Sequence, residues 1–193
     1  MQNTRSGLKL LDTAFTLECP GKYNGPKLPK DFTARTIFID GRILRLIPVL
    51  KESLTELCGN DFTISSNLVL PGLPYNELYY VDILLTSPQL AHESEVNSTL
   101  RSMINNKLHI GNTNVDESIK HVAILINIPE HFSSDGQHLI GSQVMRKRHL
   151  EAIGVKVINV THLKLCQLRV HPKLVIEYLK EKLRDADVWS SKS

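Results

Sequence analysis

The side chains best equipped for chemistry lie in the second half of the chain. Arg146-Lys147-Arg148 places three cations in a row. Arginine presents a planar fork that grips phosphate oxygens in pairs, so this triplet is a candidate contact for nucleic acid. The plainer alternative is a Lys147–Glu151 helix pair, with arginine stems covering apolar surface. Glu130-His131-Phe132 follows Pro129, where an apolar run ends. A histidine in that position can serve as a base without a metal. His131, His138 and His149 would act there as phosphate donors or as metal ligands, but His131-x6-His138 without cysteine is no zinc spacing. Phe132 reads better as a core plug than as a platform for a base. Asp82 stands alone inside LYYVDILL. It is either a structural acid held by backbone N–H groups or the first ligand of a metal site.

These residues need a frame to hold them. Val122–Ile128 is rich in β-branched residues and stops at Pro129, which predicts a buried strand. A helix is expected from about Gln143 to Ile153, with Ser142 as its cap and Gly154 as its stop. On it, Met145, Ala152 and Ile153 define the inner side, with Arg146 and Arg148 flanking that side and Lys147 pointing out. Val155–Val160 is a second strand. A strand, a crossover helix and a strand imply a parallel pair, hence an α/β fold. His131 and Phe132 then fall at the sheet edge where ligands bind in such folds.

Upstream, Leu8–Leu17 is read as a helix, with Leu8, Leu11 and Phe15 in one row and Leu10, Ala14 and Leu17 alongside. The turn-rich LECPGKYNGPKLP ends it. Ile43–Cys58 is a second helix, with Val49, Leu50, Leu54 and Leu57 on its stripe, and Phe62–Leu70 and Leu78–Leu85 are strands. Thr86–Lys120 is polar and reads as a mobile insertion, with a helix suggested around Glu95–Ile104. Thr161–Val170 looks irregular or partly extended. His171–Arg184 is a helix with Pro172 in its first turn, and Val175, Tyr178, Leu179 and Leu183 facing inward. Asp187–Ser193 reads as a frayed tail.

Composition excludes several classes. There is no apolar run of membrane-spanning length and no secretion signal. Cys19, Cys58 and Cys166 lack metal-ligand spacing and read as buried, reduced thiols. No Gly-rich loop with a lysine strand, H-R-D loop or D-F-G is present, so nothing resembles a kinase. Charge is uneven. Residues 1–119 carry 11 Lys and Arg against 13 Asp and Glu, a net of −2, and residues 120–193 carry 12 against 7, a net of +5. That second part also holds six of the eight histidines. A basic half suits an anionic partner, with nucleic acid first among them and an ordinary solvated surface as the alternative.

The runs VAILINIPEHF and LIGSQVMRKRHLEAIGVKVINV resemble the RAP domain of the FAST kinase family. The leucine-rich helix and LECPGKYNGPKLP are similar to the end of the helical FAST region that precedes it. The resemblance implies a restriction-endonuclease-like core with a mixed sheet flanked by helices, preceded by a short helical segment. It divides the chain into 1–42, the end of the helical region, 43–185, the nuclease-like core with RAP at about 120–180, and a tail at 186–193. Pro129, His131, Phe132, Gly141, Arg146, Lys147, Arg148, Leu150 and Gly154 keep the family pattern. The acids expected on the first RAP strand fall on Leu125 and Asn127. Asp82 would be the first acid of a nuclease site, and its partner is missing.

The reading implied is an RNA-binding module for mitochondrial transcripts, single-stranded, located in the mitochondrial matrix, nuclease-like but without catalysis. Its RNA contacts would be Arg146, Lys147, Arg148 and His131, with no cofactor. An active endoribonuclease would instead use Asp82, Glu130 and His131, with Mg²⁺. A protein-interaction platform for an acidic partner is the third reading. Against the family, the chain reads as a C-terminal fragment with no targeting sequence of its own.

Overall fold

The fold is organised by two strands that are apolar almost throughout. The computed structural model describes residues 2–19, 39–71, 79–108 and 118–188, with residues 22, 25, 28, 35–36, 73 and 75–76 between them. Most of LECPGKYNGPKLP, residues 109–117 within Thr86–Lys120 and the end of the tail lie outside the described residues. Strands β4 (Tyr80–Ser87) and β5 (Lys120–Asn127) are buried along nearly their whole length. Strands of that kind must be covered on both faces. They form the centre of a four-stranded sheet in the order β2-β4-β5-β6, with β2 at Thr63–Val69 and β6 at Val155–Thr161. β2 and β4 pair antiparallel, as do β4 and β5, whereas β5 and β6 run parallel. Arg35–Thr36 (β1) and Tyr75–Asn76 (β3) make a small parallel pair apart from it.

Helices cover both faces, giving an α/β sandwich. On one face α2 (Gly41–Cys58), α5 (His162–Leu168) and α6 (Pro172–Asp185) pack on Ile83, Leu85, Ile124 and Ile126. On the other, α3 (Glu93–Leu108) and α4 (Gly141–Ala152) pack on Leu84, Ala123 and Leu125. The first helix, α1 (Gln2–Glu18), lies against α3 and α4. Of its two apolar rows, Leu10 and Leu17 enter the core, while Leu8, Leu11 and Phe15 remain largely exposed. None of the helices among the described residues is long and apolar enough to cross a membrane.

Helix α2 shows how packing overrides propensity. Asp40 caps it, accepting from Arg42 N–H at 2.7 Å. Pro48 lies inside it and removes one backbone bond, at a cost of about 3 kcal/mol. Its inner face is Ile43, Leu46, Ile47, Leu50 and Leu54. Each fully buried aliphatic contributes roughly 1.5–3 kcal/mol, so the face outweighs the proline. Val49 and Leu57, expected on this stripe, are only half-buried. Ile43, Leu46 and Ile47 extend the face one turn earlier.

Three further expectations are corrected. The stretch read as a mobile insertion contains α3, a 16-residue helix anchored by Val96, Leu100 and Ile104. The irregular stretch after β6 contains α5, held by Leu165. Only Cys58 is fully buried, its thiol pushed up to about 11 by desolvation; Cys19 and Cys166 are half-buried, and all three are free.

The crossover helix also differs in detail. It begins at Gly141, so Ser142 sits inside the first turn and no side chain caps it. Gly154 follows its end with φ +96°, and a Cβ there would stand 3.3 Å from Met103 Sδ of α3. Glycine is therefore required both for the turn and for the approach of α3.

Candidate functional site

At the C-terminal end of β5 the sheet opens into a pocket of about 260 Å³. Four segments wall it: the start of β4, the 3-10 turn Pro129–His131, the start of α4 and the start of α2. Asp82, Glu130, His131 and Arg146 all line it, although they are far apart in sequence. Asp40, Tyr80, Ser142 and Gln143 complete its polar lining.

Asp82 is 1% exposed on β4. Its Oδ2 accepts from Ile126 N–H at 2.8 Å, and an Arg146 guanidinium nitrogen lies 3.6 Å away. Its Oδ1 has no hydrogen-bond partner among the described residues. Burial pushes this carboxyl above its ordinary value, while the Arg146 charge and the Ile126 N–H oppose that rise. Arg146 is 4% exposed and also donates to the Tyr80 carbonyl and, at 3.4 Å, to Gln143 Oε1. The arginine expected to flank the buried side of α4 is therefore in the middle of it. The buried residues of α4 are Arg146, His149 and Leu150, and Ala152 is exposed.

At the rim, Arg42 bridges Asp40 at 2.8 Å and Glu130 at 2.9 Å. The guanidinium holds both carboxyls below their usual range. His131 is half-buried, with Nδ1 3.4 Å from Asn127 Oδ1. Burial and the Arg146 charge lower its pKa, so the imidazole is neutral at pH 7. Leu125 is packed into the core, and Asn127 donates to Asn159 Oδ1 at 2.9 Å. Among the described residues no group of three His, Cys, Asp or Glu side chains is placed to hold a metal ion.

The remaining cations of the triplet are tied to acids. Lys147 Nζ stands 3.8 Å from Glu151, and Arg148 bonds Glu18 at the end of α1. His149 joins the same carboxylate at 2.7 Å through Nε2, and its Nδ1 meets Tyr79 Oη at 2.9 Å. The Tyr79 and His149 rings stack at 5.9 Å. Arg148 and His149 together hold the Glu18 carboxyl below its ordinary value. The three histidines proposed to gather do not meet. His138 is exposed and pairs with Asp135 at 3.0 Å, and His149 is sealed under α1.

Sequence reasoning missed Asp40, Arg42 and Gln143. Asp40 carried a signal, being an acid directly before an apolar helical pattern, which is the mark of an N-cap. Nothing in the sequence linked it to Glu130, ninety residues further on.

Comparison with known proteins places this site in context. The RAP domain family matches residues 124–182. Human FAST kinase domain-containing protein 3, mitochondrial, is 28% identical over 93% of this chain and 25% of its own length. Mouse Fas-activated serine/threonine kinase is 28% identical over 93% of this chain and 36% of its own. The chain thus spans between a quarter and about a third of the length of these relatives. No solved structure matches it. The pocket's turn, its α4 wall, β6 and most of β5 thus lie within the residues that match the RAP domain, in a chain similar over nearly all its length to these two proteins.

Proposed function

We propose that this chain is an RNA-binding module of a mitochondrial protein acting on mitochondrial transcripts, built on a restriction-endonuclease-like core that does not cut. The observation that carries this reading is the buried Asp82–Arg146 pair. A metal-dependent nuclease keeps its carboxylates for Mg²⁺, which activates water beside a phosphate. Here the only acid on the central strands inside the pocket faces a guanidinium, and Leu125 and Asn127 stand where a second acid would be needed. A cation belonging to the chain takes the neutralising part that a metal would play.

The RAP match supports the link to RNA, and the word "mitochondrial" in the relatives' names supports the location. The surface best suited to single-stranded RNA is the α5–α6 side. Lys164, Arg169 and Lys173 are exposed there, in no ion pair with a described residue, and Leu163, Val170 and Leu174 are exposed between them. Lys147 and Arg148 are secondary contacts, since a phosphate must first displace Glu151 or Glu18. Arg146 acts from inside, by holding the pocket wall.

The test is the salt dependence of binding to a uridine tract. Each phosphate contact on a single strand adds about 0.7 to the slope of log affinity against log salt, so Lys164, Arg169 and Lys173 changed together to alanine should lower it by about two. An unchanged slope would remove this face from the interface. Mg²⁺-stimulated cleavage by pure protein, lost in Asp82→Ala, would overturn the non-cutting reading. A second reading has its own support in His131, a neutral imidazole open to the pocket and able to act as a base without metal. Metal-free cleavage lost in His131→Ala would establish it.

A further inference from the structure

The pocket and the presumed RNA surface differ in the sign of their charge. Asp40, Asp82 and Glu130 line the pocket against Arg146, with Arg42 spanning the two acids at the rim. A phosphate entering it meets three carboxylates. The Arg146 guanidinium is already directed at Asp82, the Tyr80 carbonyl and Gln143. What the pocket offers a visitor is therefore acceptors set among apolar walls, chiefly Ile43, Ile128 and Ile140. Buried carboxylate oxygens almost always have a donor, and among the described residues Asp82 Oδ1 has none. At about 260 Å³ the cavity falls just below the usual range for small-molecule sites, roughly 300–1,000 Å³, which leaves room for one planar ring system.

We propose that this pocket takes a single guanine base, splayed out of single-stranded RNA, whose N–H edge faces Asp82 and Gln143. Single-stranded RNA is commonly read in this way, by inserting an unstacked base and hydrogen-bonding its pairing edge. Guanine presents adjacent N1–H and N2–H donors on that edge. Uracil presents one N–H between two carbonyls, which the acidic lining repels. The isoleucines supply the faces and exclude water, which strengthens each hydrogen bond inside. This inference rests on the RNA-binding reading above, and its test separates the two.

The full chain is titrated with GMP, AMP, CMP, UMP and ribose 5-phosphate, with binding followed by NMR on the isoleucine methyls. Single-stranded uridine tracts with and without one guanosine are then compared. GMP should bind at least tenfold more tightly than UMP, shifting the methyls of Ile43, Ile128 and Ile140, and the guanosine-bearing tract should bind more tightly than the plain one. Ser142→Trp, at an exposed position on the mouth, should abolish the preference without altering the melting temperature. Equal affinity for all four nucleotides would overturn the proposal. So would ribose 5-phosphate binding as tightly as GMP, or a preference that survives Ser142→Trp. Salt-dependent binding of the plain tract without any guanine preference would overturn the pocket and keep the RNA reading. A GMP preference with neither tract bound would keep the pocket and overturn the RNA reading.

Discussion

Strand β5 carries a histidine near each end of its path, and the two ends differ in what surrounds those rings. His121, at the start, is 3% exposed, with Nδ1 3.0 Å from Thr86 Oγ1 and Nε2 3.5 Å from Thr99 Oγ1. His131, just past the far end, is half-buried beside Asn127 and lines the cavity that Asp82 also lines. Burial lowers the pKa of both rings. The same electrostatic signature therefore describes a closed structural site and an open candidate site. What separates them is whether the ring is enclosed or lines a cavity. A lowered pKa alone therefore does not mark a functional histidine; a ring in a cleft is the better candidate.

The largest expected effect lies at the open end. Arg146→Ala leaves Asp82 buried without its cation, and such a loss costs roughly 3–5 kcal/mol. The cost should shrink in the double variant Asp82→Asn/Arg146→Ala, measured by chemical denaturation beside each single variant. If the double variant loses the sum of the two singles, the pair is not coupled and the pocket floor has been misjudged.

The closed end should reveal itself through acid. His121 stays neutral in the folded chain down to about pH 4, whereas an unfolded histidine takes its proton near 6.5. Between those values the unfolded state binds more protons, so stability falls as pH drops from 6.5 to 4. The full difference is about 3 kcal/mol. His121→Gln should flatten that part of the profile. A profile unchanged by the substitution would mean that other groups cause the acid loss.

The smallest effect belongs to His131→Gln. Its one long contact, 3.4 Å to Asn127, predicts a stability change under about 1 kcal/mol. A larger loss in a thermal melt would move His131 from the open class to the closed one and weaken the contrast.

The sequence disclosed the β5–α4–β6 unit well, because an apolar run before proline and a glycine after a helix leave few alternatives. It showed α3 only faintly, as a helix around Glu95–Ile104, because its three buried residues recur at every fourth position among serines and asparagines and give little amphipathic contrast. It concealed α5 for another reason: a seven-residue helix that begins directly after a strand has no room for a turn signal. Asp82, Glu130, His131 and Arg146, singled out from the sequence, all line one pocket. The orientation of α4 was not legible in the sequence. With only a short apolar stripe to fix the wheel, a buried arginine reads as a surface one until its carboxylate partner on another strand is seen.

Glu18 has a mechanical consequence. It sits at the carbonyl end of α1, where a negative charge is disfavoured by the helix dipole, and it is held by two bases on α4. Two residues before the first of them, on the same helix, Arg146 reaches the pocket floor. Helix α4 is thus a short lever whose tether and load lie within one turn of each other. Tension drawn through α1 would be carried by Glu18 into that lever and delivered to the wall that supports Arg146. A strain applied far from the pocket would arrive there as a change of shape.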